Sequence, residues 1–237
     1  MPDLHWTIPV ARWSSWPAVA AVAPDIGFIE PMVRRRLSTL SRVALKVAHD
    51  CAANYPNVRI VFASRHGELR RTTDILRNIS AGEPVSPTSF SLSVLNAMTG
   101  VFGISRGDRA AASALSAGAE TLGYALLEAH AQYATDPSTP VLLVYADEPA
   151  DPAYGTIEEE VHGGALAILL EDSAATARLT CARTVAIATD APGGKGDSGT
   201  VFATQSQAVH HCLDTRTAAQ WRGEHAAWAW SWHEGVA

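Results

Sequence analysis

Positive charge, cysteine and long apolar runs are all scarce in this sequence, and each shortage removes a class of function. Lys and Arg number 18 against 24 Asp and Glu, a net charge of -6. The longest basic run is Arg34-Arg35-Arg36. That is not the basic stripe of a nucleic-acid binder. The cysteines Cys51, Cys181 and Cys212 lie far apart with no metal-type spacing, so neither a disulfide framework nor a zinc site is indicated. The sequence gives no reason to expect a metal or another cofactor. No stretch approaches the roughly 18 apolar residues needed to span a bilayer. The start, with Pro2, Asp3 and His5, lacks a basic region followed by an apolar run, so no signal peptide is read and the expected location is the cytoplasm. No Pro/Ser-rich or like-charge linker divides the chain either, which favours one domain over residues 1–237.

What is present is enough for a sizeable core, since 47% of the 237 residues are hydrophobic. Between Pro31 and Asn54 the residues Val33, Leu37, Leu40, Ala44, Val47 and Cys51 recur at spacings of three and four, which predicts one helix. Val58 to Ala63 reads as a β-branched strand. A helix from about Glu68 to Ile79 follows, with Leu69, Leu76 and Ile79 inward and Gly82 ending it. Residues 89–104 form an apolar, Gly-punctuated helix, and Arg109 to Leu115 a brief strand. A long helix, Ser116 to Tyr133, is apolar on nearly all sides except Glu120, Glu128 and His130, so it belongs in an interior layer. Val141–Tyr145 and Ala165–Leu170 are continuous apolar runs, the mark of strands covered on both faces. Ala182–Thr189 is a further candidate strand, and Gly193–Gly199 a loop. In the tail, Trp221, His225, Trp228 and Trp232 share a helical face, while Trp228, Trp230 and Trp232 alternate as in a strand; both readings stay open. Strands alternating with helices, then two strands in succession, give an α/β fold with a mixed, mostly parallel sheet carrying an antiparallel edge.

Residues 86–122, SPTSFSLSVLNAMTGVFGISRGDRAAASALSAGAETL, resemble the heart of a β-ketoacyl synthase of the thiolase superfamily. Ser86-Pro87, Asn96 and Gly100 match the opening and the small-residue helix. Ser113 to Gly118 matches the stretch around the nucleophile, with Leu115 at the position of the reactive cysteine. The resemblance implies one half of a thiolase-like structure over residues 1–172, with helices on both faces of the sheet, and a Trp-rich C-terminal extension over 173–237. In the family, a thiolate at a helix head has its pKa lowered and takes an acyl group from a carrier thioester. Leucine offers no lone pair. A complete ketosynthase also has a second half, and without it the interior helix must be covered by the tryptophan tail, a partner, or both.

These features are similar to chain-length-factor-like proteins found with ketosynthases in bacterial aryl polyene and polyketide pathways, where one subunit catalyses and the other shapes the tunnel. The implied function is a non-catalytic subunit that pairs with a catalytic ketosynthase, with an acyl carrier protein as a further partner. The resemblance puts Leu115, Ser116 and Gly118 near the acyl tunnel or subunit seam, with Asn96, Met98 and Phe102 lining it. Ala110-Ala111-Ala112 suits a seam where edge strands approach. Arg34, Arg35 and Arg36 are candidates for binding an acidic carrier, against the plainer reading of a solvated turn. Ala114-Leu115-Ser116-Ala117-Gly118 also imitates a nucleophile elbow, with Asp147 and His162 or His210 in chain order, which keeps a serine hydrolase or acyltransferase in view. Against it stands the expectation that Ser116 simply caps the helix. A plain interaction module is the third alternative. His210-His211-Cys212 is not read as a metal site, because adjacent residues point apart.

Overall fold

The computed structural model describes residues 3–158, 160–185 and 199–235. The strands are β1 (Leu4–Val10), β2 (Arg12–Trp16), β3 (Arg59–Ala63), β4 (Ala112–Leu115), β5 (Val141–Asp147), β6 (Gly164–Leu170), β7 (Ala177–Val185), β8 (Thr200–Phe202), β9 (Ala219–Arg222) and β10 (Ala226–Glu234). The helices are α1 (Pro31–Arg34), α2 (Thr39–Ala52), α3 (Leu69–Ser80), α4 (Pro87–Ser91), α5 (Ala97–Arg106), α6 (Thr121–Thr135) and α7 (Gln205–Thr215). Two five-stranded sheets result, ordered β2-β6-β5-β3-β4 and β1-β7-β10-β9-β8.

The apolar runs behave as their composition requires. Every residue of β5 is buried, because α2 covers one face of the first sheet and α6 the other. Leu40, Val43, Ala44, Val47, Ala48 and Cys51 form the inward stripe of α2, packed with Phe62, Phe102, Val144 and Leu169. On the opposite face, Leu122, Ala125, Leu126, Ala129 and Tyr133 of α6 join Val61, Leu143 and Ile168 to Ile8, Leu179 and Trp228 of the second sheet. The result is a layered helix–sheet–helix–sheet stack, with α6 buried between the sheets.

The first sheet is mixed, but parallel pairing does not dominate it. The β3–β4 and β3–β5 pairs are parallel, whereas β5–β6 and β2–β6 are antiparallel. Among the described residues of the second sheet β8–β9 is parallel and the other pairs are antiparallel. The extra antiparallel pairs arise because β5 returns directly as β6 and because the N-terminal segment runs through both sheets, β1 in one and β2 in the other. The tryptophan tail is a strand: β10 pairs with β7 along Ala226–Glu234, burying Trp228 and Trp230 on one face. Residues 173–237 thus supply four strands of the second sheet, and the N-terminal β1 supplies the fifth. Of the expected strand 182–189 and loop 193–199, residues 186–189 and 193–198 lie outside the described residues.

Several helix limits differ from the periodic reading, each for a local reason. The helix expected over 31–54 is two helices, because Ser38 Oγ accepts from Ser41 N at 3.0 Å and starts a new one. In α3 the inward residues are Thr73 and Ile75, while Leu76 and Ile79 are 53% and 58% exposed. Buried Glu68, held by Ser38 and Ser41 at 2.6 Å, sets the rotation of that helix. The segment 89–104 is split between α4 and α5. The buried helix begins at Thr121 and not at Ser116, because Gly118 is left-handed at φ 59° and a tight turn, Gly118–Glu120, intervenes.

α6 meets the second sheet tightly at Gly123, where a Cβ would fall 2.5 Å from the Trp228 ring. Alanine is the better helix former by about 1 kcal/mol, but forced overpacking costs about 1–3 kcal/mol. Gly123→Ala is expected to lower the urea unfolding midpoint and Gly123→Val to lower it further; unchanged midpoints would mean the indole moves aside freely.

Candidate functional site: the head of the buried helix

Three strands of the first sheet end together beside the start of α6. Ala63 of β3 lies in register with Leu115 of β4 and Tyr145 of β5, and Ser64 N donates to Leu115 O at 3.3 Å. The loop after β3 is fixed by one carboxylate. Asp147, 1% exposed, accepts from Ser64 Oγ (2.9 Å), Arg65 N (2.7 Å) and His66 N (3.1 Å). Burial pushes its carboxyl above the usual range, opposed by those donors and by the Tyr145 hydroxyl. His66 Nε2 lies 2.7 Å from Glu160 Oε1. Burial works to raise Glu160, but His66 and the N–H groups of Val161 and Ala150 outweigh it and hold this carboxyl low.

Leu115 occupies the strand end with its side chain on the α6 face, half-buried against the core between the sheets. Ser116 does not cap a helix. Its Oγ donates to Arg65 O at 3.0 Å, and Ala117 N is bonded instead to Thr121 Oγ1 at 2.9 Å. Met98 and Phe102 are buried, but on the opposite face of the first sheet, in the cluster with α2. Asn96 is exposed at the start of α5. Leu115, Ser116 and Gly118 therefore form one continuous segment, and the sheet separates them from Met98 and Phe102.

The elbow-like serine lacks its machinery. Asp147 is occupied by Ser64, two backbone N–H groups and Tyr145, with no histidine ring bonded to it among the described residues. His210 Nε2 pairs with Ser15 Oγ at 3.1 Å, and His162 is exposed. No thiol substitutes for the serine: burial pushes Cys51 and Cys212 up to about 12 and Cys181 well above its ordinary value, which leaves no reactive thiolate at neutral pH. Among the described residues no group of three or more His, Cys, Asp or Glu could hold a metal.

Arg35 and Arg36 are exposed and Arg34 half-buried at the end of α1. Arg36 borders a polar cleft of about 470 Å³ with Arg70, Arg71, Glu68 and Glu148. Sequence reasoning missed the strongest polar group at the helix head. Glu120 accepts from Arg183 Nε at 2.9 Å and Trp228 Nε1 at 2.8 Å. The Arg183 guanidinium also lies 5.7 Å from the Tyr124 ring and 5.8 Å from that of Trp228. The available signal was a lone acid at the start of an otherwise apolar helix.

The layered fold and the strand-to-buried-helix junction define a thiolase-like α/β protein. The family model described as "Beta-ketoacyl synthase, N-terminal domain" matches residues 11–231; the chain belongs to that family, and the match takes in most of the tail. No curated protein matches the chain. Among solved structures, a chain from the ketosynthase ApeO in complex with its chain length factor ApeC, from Xenorhabdus doucetiae, is 26% identical with a TM-score of 0.74, over 95% of this chain and 99% of that one. A chain of the ishigamide ketosynthase/chain length factor is 12% identical with a TM-score of 0.65, over 97% and 99%. A chain of the AntDE:AntF complex, a type II polyketide synthase acyl-carrier protein with its ketosynthase bound to the hexaketide, is 12% identical with a TM-score of 0.58, over 76% and 69%. The last two likenesses are of fold.

Removing Glu120 strands the Arg183 side chain, which is 7% exposed. Glu120→Ala is expected to cost about 3 kcal/mol in unfolding free energy, with Glu120→Gln costing less because one acceptor remains. A loss under about 0.5 kcal/mol for the alanine variant, the range of an ordinary surface change, would show that the pair contributes little.

Proposed function

We propose that this chain is a non-catalytic, chain-length-factor-like subunit that pairs with an active β-ketoacyl synthase in fatty-acid-like polyene or polyketide synthesis. The observation that carries this reading is Leu115: a hydrocarbon side chain sits where the family resemblance puts the attacking sulfur. The chain also matches end to end a chain of a complex between a ketosynthase and its chain length factor. The remaining parts can shape an acyl tunnel but cannot form a thioester.

The surface suited to the partner is the open edge of the first sheet. Among the described residues β4 pairs on one side alone. Ala111 O and Leu115 O are bonded toward β3, so the alternation of the ladder turns the backbone groups of Ala112 and Ala114 outward. Ala110, Ala111 and Ala112 let a second strand approach closely. On α5, which packs against β4, Ile104 is 85% exposed, an apolar side chain of the kind interfaces cover. In the assembled pair, Leu115, Ser116 and Gly118 bound the tunnel at the helix head, while Met98 and Phe102, packed with α2 across the sheet, back that wall. Arg35 and Arg36 are the proposed contact for an acidic acyl carrier protein, with Arg34 behind them. The three buried thiols are in keeping with a reducing compartment, and the proposed location is the cytoplasm.

Two variants co-expressed with the cognate ketosynthase test this. Ala112→Pro removes an outward-facing N–H, which an edge strand tolerates; the chain is expected to fold normally yet fail to co-purify with the ketosynthase. Leu115→Trp is expected to leave the pair intact and shift the product distribution toward shorter chains. An active Leu115→Trp pair with unaltered products would remove the tunnel role and leave a plain interaction module.

A further inference from the structure

On the side of the molecule away from β4, a cleft of about 620 Å³ opens between the β2–β6 edge of the first sheet and α7. That size suits a small organic ligand. The cleft lies on the far side of the first sheet's strand ends from the β4 seam and shares Tyr145 with the strand ends beside the helix head.

The cleft is held open by specific contacts. His210 on α7 reaches Ser15 Oγ at 3.1 Å, and its ring meets the Trp13 ring edge-on at 5.9 Å, which fixes α7 against β2. Gly164, at φ 94°, lets the chain after β2 lie directly against β6; a Cβ there would be 2.6 Å from Trp16 O. His211 leans on Phe202 with ring centroids 4.7 Å apart and is held by Thr217 Oγ1 at 3.1 Å. Tyr145, tied to Asp147, contributes to the inner surface.

The lining is rich in flat rings: Trp16, Tyr145 and Phe202, with the imidazoles of His162, His210 and His211. Ala18 and Leu166 complete the apolar wall, and Ser206 and Gln207 at the start of α7 offer hydrogen bonds. Pro17 and Ala18 border the cleft where the chain leaves β2, and the segment that follows is open to solvent, with Val19 91% and Val22 71% exposed. Offset stacking on ring faces favours a planar π-system over a flexible aliphatic chain, which must also lose rotamer freedom on binding.

We propose that this cleft is a second binding site, taking a planar conjugated small molecule with one hydrogen-bonding polar group. The rings of Trp16 and Phe202 hold its body, and Ser206, Gln207 and the imidazoles receive its polar end. Pro17 and Ala18 supply apolar surface beside the bound molecule.

Isothermal titration of the full chain, or of its complex if the chain is obtained only in one, with 2-naphthoate and with octanoate tests this. Binding of 2-naphthoate at least about tenfold tighter than octanoate is expected. Ala18→Trp, which fills the cleft from an exposed loop, is expected to weaken 2-naphthoate by about tenfold or more at unchanged Tm, and Phe202→Leu to weaken it severalfold. The second variant serves if the first does not fold. No binding of 2-naphthoate, octanoate binding as tightly, or full affinity retained in a folded variant would overturn the proposal. The readout is on this chain's own cleft, so it stands apart from the ketosynthase pairing.

Discussion

The structure depends on how one helix is held between two sheets. α6 carries almost no charge, and such a helix is stable only if apolar surface covers it on both sides. The first sheet covers one side. The other is closed by β10, and the closure is tight because Gly123 admits the Trp228 ring against the helix backbone. Trp228 in turn meets Trp6 and Tyr124 edge-on at 6.0 and 5.4 Å and stacks with Trp230 at 6.2 Å. Rings in these arrangements contribute beyond their buried area. Glu120, accepting from Arg183 and the Trp228 indole, adds the directional part. The strand end at Leu115 is thereby fixed relative to the second sheet.

This arrangement explains how a chain of 237 residues keeps the architecture around a ketosynthase-type helix head. The interior helix does not wait for a partner to cover it. Residues 177–234, apart from the undescribed stretch, build the covering sheet with β1, and α7 packs beside it. In the proposed pairing the open edge at β4 is the surface left for the partner. Stability and assembly would then fall to different surfaces, so a variant at that edge need not unfold the chain.

The parts of the fold legible in the sequence are those governed by local periodicity or complete burial. VLLVY and ALAILL are strands because both faces are covered, and α2 follows its stripe from Leu40 to Cys51. The head of α6 was not legible: Ser116 looked like a cap, but a left-handed Gly118 delays the helix to Thr121. The rotation of α3 was missed because it is fixed by Glu68 reaching Ser38 and Ser41, about thirty positions earlier. The second sheet was hidden for the same reason, since its strands come from both ends of the chain. At the site, Leu115 could be named from the surrounding motif. The Glu120–Arg183–Trp228 contact is separated by 63 and 108 positions, and the acid at the head of an apolar helix marks one end of it without naming its partners. Met98 and Phe102, expected to line the tunnel, pack with α2 on the other face of the sheet, a side that periodicity cannot assign.

In the proposed pairing this chain shapes acyl chemistry without bonding to the acyl group. Intact-mass measurement of the co-purified pair after exposure to an acyl-carrier thioester separates the two subunits' roles. An acyl adduct is expected on the ketosynthase and an unmodified mass for this chain. A stoichiometric acyl adduct on this chain would contradict that role.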